Sequence, residues 1–199
     1  SGNGYHGTVY GAVPGVDRKG QAGMALSFDG TDDRVKIPHT LLNGRVHLTY
    51  NLWFKMADSV EPYTAFLSAA NADSFSGNHL LLEMGKWSKI ALWDSSTASV
   101  YSGPTEDMSD WENRWRMITL VRRSYDSTIY LDGQPYAEVQ QANTSLVVGE
   151  NGLWIGADQD SVGGGWDATQ HLTGLVDEAS VYHRAMSKRE VELLFQATS

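Results

Sequence analysis

Residues 127–139 read STIYLDGQPYAEV, and this stretch decides the fold. Two alternating runs flank Asp132-Gly133, a dipeptide suited to the left-handed backbone of a two-residue hairpin turn. The same signature recurs on both sides. Upstream, ALSFDG (25–30) and DRVKIPH (33–39) flank a polar turn, and LTYNLWFKM (48–56) puts Leu48, Tyr50, Leu52 and Phe54 on one face. AFLSA (65–69), HLLLEM (79–84), KIALWD (89–94), ASVYSG (98–103) and WRMITLVRR (115–123) follow. Downstream lie SLVVG (145–149), GLWIGAD (152–158) and GLVDEASVYHR (174–184). So many short strands separated by turns predict an all-β antiparallel sandwich of jelly-roll type. No fixed-period repeat and no linker interrupts it, so residues 1–199 read as a single domain.

One helix is expected. SKREVELLFQ (187–196) carries Ser187 as N-cap and Glu190 three residues on, a capping box. Val191, Leu194 and Phe195 then share the face that packs on the sandwich.

A hydrophobic content of 41% argues for a folded globule. The net charge of −9 disfavours nucleic acid and anionic membranes, which both reward a basic face. With no cysteine, disulfides and zinc-thiolate sites are excluded. No apolar run is long enough to insert in a bilayer, and SGNGYHGTVYG at the start is not a signal peptide. The expectation is a module excised from a larger secreted or cell-surface protein, bacterial in character, with calcium in place of disulfides for rigidity.

The chemistry concentrates in DQDSVGGGWDATQ (158–170). Three carboxylates gather there without a cation, beside three consecutive glycines. Such a group suits Ca²⁺, which takes six to eight oxygens in irregular geometry, roughly 2.3–2.6 Å away. In an extended segment Asp158 and Asp160 leave the same face, Asp167 and Gln170 return to it, and Gln159 adds its backbone carbonyl. The EF-hand pattern fails, because Val162 and Thr169 fall where oxygen ligands are needed. A solvated polar turn is the alternative. A second acidic group, Asp29, Asp32 and Asp33 with Asp177, reads as a possible structural cation site or as a capped turn.

IGADQDSVGGGWDATQHLTGLVDEASVYHRAMSKREVELLF (155–195) resembles the pentraxin family and equally the concanavalin-like laminin-G-like domains. The specific part is the G-x-[DE]-Q-D-S-x-G-G loop. ALSFDGTDDRVKIP (25–38) resembles the opening of laminin-G-like domains. The resemblance implies one or two calcium ions at the mouth of a β-sandwich. Asp158, the Gln159 carbonyl and Asp160 would hold the first. Asp158 and Asp160 would bridge to a second, completed by Asp167 and Gln170. An Asp-Asn pair from an earlier loop maps to Asn78, with Asp73 as the substitute acid. Departures are plain. Asn51 and Ile118 stand where the pentraxin cysteines would be, and Glu83 where an aromatic residue of the choline pocket is expected. Neither pentameric assembly nor a phosphocholine ligand is carried over.

No strand has the alternating acids of a glycosidase, and Asp177-Glu178, being adjacent, should face opposite sides. No G-x-S-x-G or H-E-x-x-H motif occurs, and the six histidines are scattered. The expectation is a binding module and not an enzyme. Trp53, Trp93, Trp115 and Trp154 fall in strand patterns and should be core. Trp166, in the acidic loop, either stacks on a ligand sugar beside Asn78 and Asp160 or plugs the sandwich end. Trp87 and Trp111 are lesser ligand candidates. The function expected is calcium-dependent glycan binding. A calcium-rigidified peptide-binding or adhesion domain is the alternative, and a polysaccharide-degrading enzyme is a more distant one.

Overall fold

The computed structural model of the chain describes residues 3–57, 63–71, 78–85, 89–94, 97–101, 110–140 and 144–199, the side chains of 78–79, 85, 89, 93–94 and 97–101 excepted. The strands are, in chain order, β1 (Thr8–Tyr10), β2 (Val13–Val16), β3 (Ala22–Asp29), β4 (Arg34–Lys36), β5 (Leu48–Met56), β6 (Thr64–Ala70) and β7 (Asn78–Gly85). They continue with β8 (Lys89–Asp94), β9 (Thr97–Tyr101), β10 (Trp115–Arg122), β11 (Asp126–Leu131), β12 (Gln134–Gln140), β13 (Leu153–Ile155) and β14 (Thr173–Tyr182). One helix follows, α1 (Lys188–Thr198). Among the described residues these form two seven-stranded sheets, β1-β4-β13-β6-β7-β8-β9 and β12-β11-β10-β5-β14-β3-β2. Every strand pairing is antiparallel. The expected sandwich with one C-terminal helix is the observed fold.

The alternation of β5 explains its central place. Leu48, Tyr50, Leu52 and Phe54 all enter the core between the sheets. Burial also holds the Tyr50 hydroxyl in its neutral form, raising its pKa, and that hydroxyl donates to the Phe66 carbonyl (3.2 Å). The opposite face is covered too. There Trp53 joins Met117, Val121 and Tyr130 under Val191 of α1, and its ring stacks on Phe195 at 5.6 Å. The capping box at Ser187 and Glu190 forms as the sequence implies. Asn51 and Ile118 are not cross-strand partners. Asn51 lies opposite Thr119, whose hydroxyl donates to its amide oxygen (2.7 Å).

The Asp132-Gly133 turn joins β11 to β12 with φ of +49° and +76°. Asp132 does more than turn the chain: its carboxylate accepts from the Met117 amide and pairs with Arg116 at 2.6 Å.

Two tryptophans depart from expectation. Trp111 is fully buried and stacks on Phe54 at 5.9 Å, so it is core. Trp154 is buried, yet it lies on the outer face of its sheet, because β13 turns Leu153 and Ile155 inward. Trp87 and the Trp93 side chain lie outside the described residues.

Candidate functional site: the loop between β13 and β14

This loop carries the chain from one sheet to the other. Its base is closed where the Leu172 amide donates to the Gly156 carbonyl (2.8 Å). Inside that base a small hairpin forms. The Ser161 amide donates to the Gly164 carbonyl (3.2 Å) and the Gly164 amide to the Ser161 carbonyl (2.9 Å). Gly165 is needed there: φ is +68°, and a Cβ would stand 2.9 Å from that of Asp160.

Gln159 anchors the loop. It is fully buried. Its side-chain nitrogen donates to the Ser68 hydroxyl and the Gly152 carbonyl, both at 2.9 Å, and its Oε1 accepts from the Gly163 amide (2.9 Å). One side chain thus ties the hairpin to β6 and to the turn before β13. The sequence reading assigned Gln159 only a backbone carbonyl and missed this clamp.

The carboxylates are arranged differently from the expectation. Ala157, Asp158 and Gln159 are all buried and Asp160 is exposed, so strand-like alternation does not sort this segment. Asp158 Oδ1 accepts from the Gln159 amide (2.7 Å). Asp167 caps the short 3-10 turn Ala168–Gln170, its Oδ1 accepting from the Thr169 amide (2.9 Å) and hydroxyl (2.7 Å). These bonds, the backbone one first, hold Asp167 below the usual carboxylate pKa. Buried His171 sits behind it, with Nδ1 3.0 Å from the Asp167 carbonyl.

Among the described residues, the carboxylate trio whose oxygens lie within 4.8 Å of one another is Asp29, Asp32 and Asp33, and not the loop trio. Asp177 does not join Asp29 and Asp32, as one reading had it. Thr173 pairs with Asp29, and Asp177 lies four residues along β14, about 13 Å away at strand rise. Its carboxylate is taken by Arg18. Glu178 reaches the same guanidinium at 2.9 Å. The two adjacent acids converge because β14 is irregular between Asp177 and Ser180, with Glu178 at φ +46°. One cation holds both.

The donor set of the loop is nevertheless all oxygen. Asp158, the Gln159 carbonyl, the exposed Asp160, Asp167 through Oδ2 and the half-buried Gln170 fit Ca²⁺ chemically and suit Mg²⁺ or a transition metal poorly. Asp73 and the Asn78 side chain lie outside the described residues, although Asn78 opens β7 and pairs with Ala70 of β6, two residues from Ser68. That places it on the strand next to the Gln159 anchor.

Trp166 is half-buried and packs edge-on against Trp154, with centroids 5.0 Å apart. The Arg34 guanidinium lies 4.8 Å from the Trp166 centroid, 5.7 Å from that of Trp154 and 5.6 Å from that of Tyr10. The sequence reading did not find Arg34. The signal was present in DRVKIPH, where alternation puts Arg34 and Lys36 opposite the inward Val35.

Comparison with known proteins finds relatives that share the fold. The chain is 26% identical over 144 residues to the C-reactive protein of Rattus norvegicus, covering 70% of this chain and 58% of that protein's length. The solved structure of domain 4 of AbnA, a GH43 extracellular arabinanase from Geobacillus stearothermophilus, in complex with arabinotriose, superposes with a TM-score of 0.72 at 18% identity, over 98% of this chain and 91% of that one. A native heptameric SAP-like pentraxin from Limulus polyphemus gives a TM-score of 0.64 at 17% identity, over 77% and 71%. Among the described residues, no helix is long and apolar enough to cross a membrane. The profile of the concanavalin A-like lectin/glucanases superfamily, of laminin-G type, matches residues 29–192, and the chain belongs to that superfamily.

Proposed function

We propose that the chain is a calcium-dependent carbohydrate-binding module of a secreted or cell-surface protein. One observation carries the reading: an all-oxygen donor loop, Asp158 to Gln170, held on the outer face of a sheet by the buried Gln159 amide. The anchored part fixes position, while Asp160 and Asp167 stay exposed at the tip. Calcium bound there would supply positive charge and open coordination positions for sugar hydroxyl or carboxylate oxygens. The residues do the rest. Gln159 resists displacement of the hairpin, and the 3-10 turn keeps Asp167 ionised. Binding of arabinotriose by the similar arabinanase domain supports a sugar as ligand.

The test is a calorimetric calcium titration of EDTA-stripped protein, followed by glycan-array binding in calcium and in EDTA. Saturable heat lost in Asp158→Ala/Asp160→Ala is expected, together with glycan binding lost in EDTA and in Asp160→Asn. Heat that persists in the double variant would overturn the assignment of the loop. Calcium binding without any glycan signal would leave a rigidified adhesion domain in its place.

A further inference from the structure

The outer face of β1, β4 and β13 carries a second constellation, beside the loop and separate from its donors. Thr8 pairs with Lys36 and Tyr10 with Arg34, and Trp154 also pairs with Lys36. Val35, between the two cations, points into the core. Arg34 and Lys36 therefore project outward about 7 Å apart along β4. A groove of about 330 Å³ runs beside Lys36, lined by His6, Tyr10, Lys36, His39, Asn151 and one carboxylate, Glu150, among others. At one end it meets Tyr10, a residue 41% exposed whose ring also lies against Arg34.

Arg34, like Arg45, differs from five other arginines of this acidic protein. Arg18, Arg116, Arg123, Arg184 and Arg189 each pair with a carboxylate. Among the described residues Arg34 does not, although Asp32 and Asp33 adjoin it. Asp33 instead accepts from the Asp29 amide (2.8 Å), and Arg34 Nη1 donates only to the Asp32 backbone carbonyl (2.5 Å). Its Nε is buried without a hydrogen-bond partner. Lys36 donates to the Asn151 side chain and likewise forms no ion pair among the described residues. Among the described residues Arg45 shares the missing ion pair and the orphaned Nε, so what sets Arg34 apart is its place among three aromatic rings, two residues from a second outward cation. Two outward cations beside aromatic rings can receive an anionic group carried by a ring-shaped ligand.

We propose that this groove binds an anionic saccharide, with Arg34 and Lys36 receiving its carboxylate or sulfate groups and the Tyr10 ring receiving a sugar face. The proposal rests on the glycan-binding reading above and narrows it to charged sugars. A net charge of −9 repels such a ligand at long range, so recognition depends on these two cations at contact distance. Aromatic rings with adjacent cations suit a ring sugar bearing an anion better than a free anion, which has no use for Tyr10 or the Trp154–Trp166 pair.

The experiment is calorimetry on the full chain in saturating calcium with three probes. Hyaluronan hexasaccharide offers carboxylates, heparin hexasaccharide adds sulfates, and carboxyl-reduced hyaluronan hexasaccharide is neutral. At least one anionic probe is expected to bind, at least tenfold tighter than the neutral one and more weakly as NaCl rises. Arg34→Gln and Lys36→Gln should each weaken that binding tenfold or more with the calcium heat retained. Arg34→Gln also alters the aromatic stack, so Lys36→Gln decides if Arg34→Gln lowers thermal stability. Equal binding of the neutral probe, wild-type affinity in Lys36→Gln, or no binding of either anionic probe would overturn the proposal. Calcium heat missing from the wild type, with anionic binding kept, would remove the metal and leave the groove standing.

Discussion

Gln159 and Asp167 sit eight positions apart in one loop and put their side-chain oxygens to opposite uses. Gln159 is sealed in, its amide satisfied on both ends by Ser68, Gly152 and Gly163. Replacing it with leucine keeps the size and strands those partners, so Gln159→Leu should cost about 2–4 kcal/mol in denaturant unfolding. A loss within experimental error would mean that the hairpin is held elsewhere. Asp167 stays at the surface, where the Thr169 amide and hydroxyl favour its ionised form. A lowered carboxylate pKa stabilises the fold fully above the ordinary aspartate value of about 4, and that contribution is lost as pH falls through the lowered value. Carboxyl NMR titration should find Asp167 below that ordinary value. Thr169→Ala should move it only partway back, because the backbone bond, the larger cause, remains. The sequence made Asp167 legible as an oxygen donor, since residue type alone implies that. Its role as a cap and the clamp at Gln159 depend on which strand the loop folds over, which no local spacing encodes.

At the scale of elements, period-2 alternation was sufficient to place β5, β10, β11 and β12, because one face of each must be dry. It did not tell what covers the second face. Trp53 and Trp154 both sit in apolar strand patterns, yet one lies under α1 and the other under Trp166 on an outer face. Trp111, placed near a loop by its sequence neighbours, is core because the segment before β10 folds over Phe54. Period-2 reasoning also separated Asp177 from Glu178, and the irregularity of β14 brings them to one arginine. The hairpin turn shows how elements are coupled. Gly133 has φ +76°, and a Cβ there would stand 2.9 Å from the Phe195 Cβ of α1. Gly133→Val should therefore strain the turn and push the helix off the sheet, costing about 1–3 kcal/mol for the backbone alone. Thermal unfolding with near-ultraviolet circular dichroism of the Trp53–Phe195 pair measures both effects. An unchanged midpoint would mean that α1 is not seated on the turn.

At the scale of the molecule, charge and metal are linked. The chain folds with an excess of nine negative charges and no disulfide, and acids gather at the β3–β4 turn and the β13–β14 loop among other places. Both lie in connections between strands, where like charges oppose ordering of the backbone. A cation that binds only the folded loop adds stability by mass action, about 2.7 kcal/mol at a hundredfold excess over Kd and roughly 1.4 kcal/mol for each further tenfold. Monovalent salt screens the same repulsion and saturates as the Debye length shrinks below the spacing of the charges. The two responses are separable. In constant 0.15 M NaCl, the unfolding free energy of the EDTA-treated chain should rise linearly with the logarithm of added calcium, and magnesium should act far more weakly. In Asp158→Ala/Asp160→Ala the slope should vanish if the β13–β14 loop alone binds. A slope that survives in the double variant and falls in Asp29→Asn/Asp32→Asn would move the metal to the β3–β4 turn, where the three carboxylates already stand close together. A flat response in the wild type would leave both acidic groups as capped turns, each satisfied by its own amides.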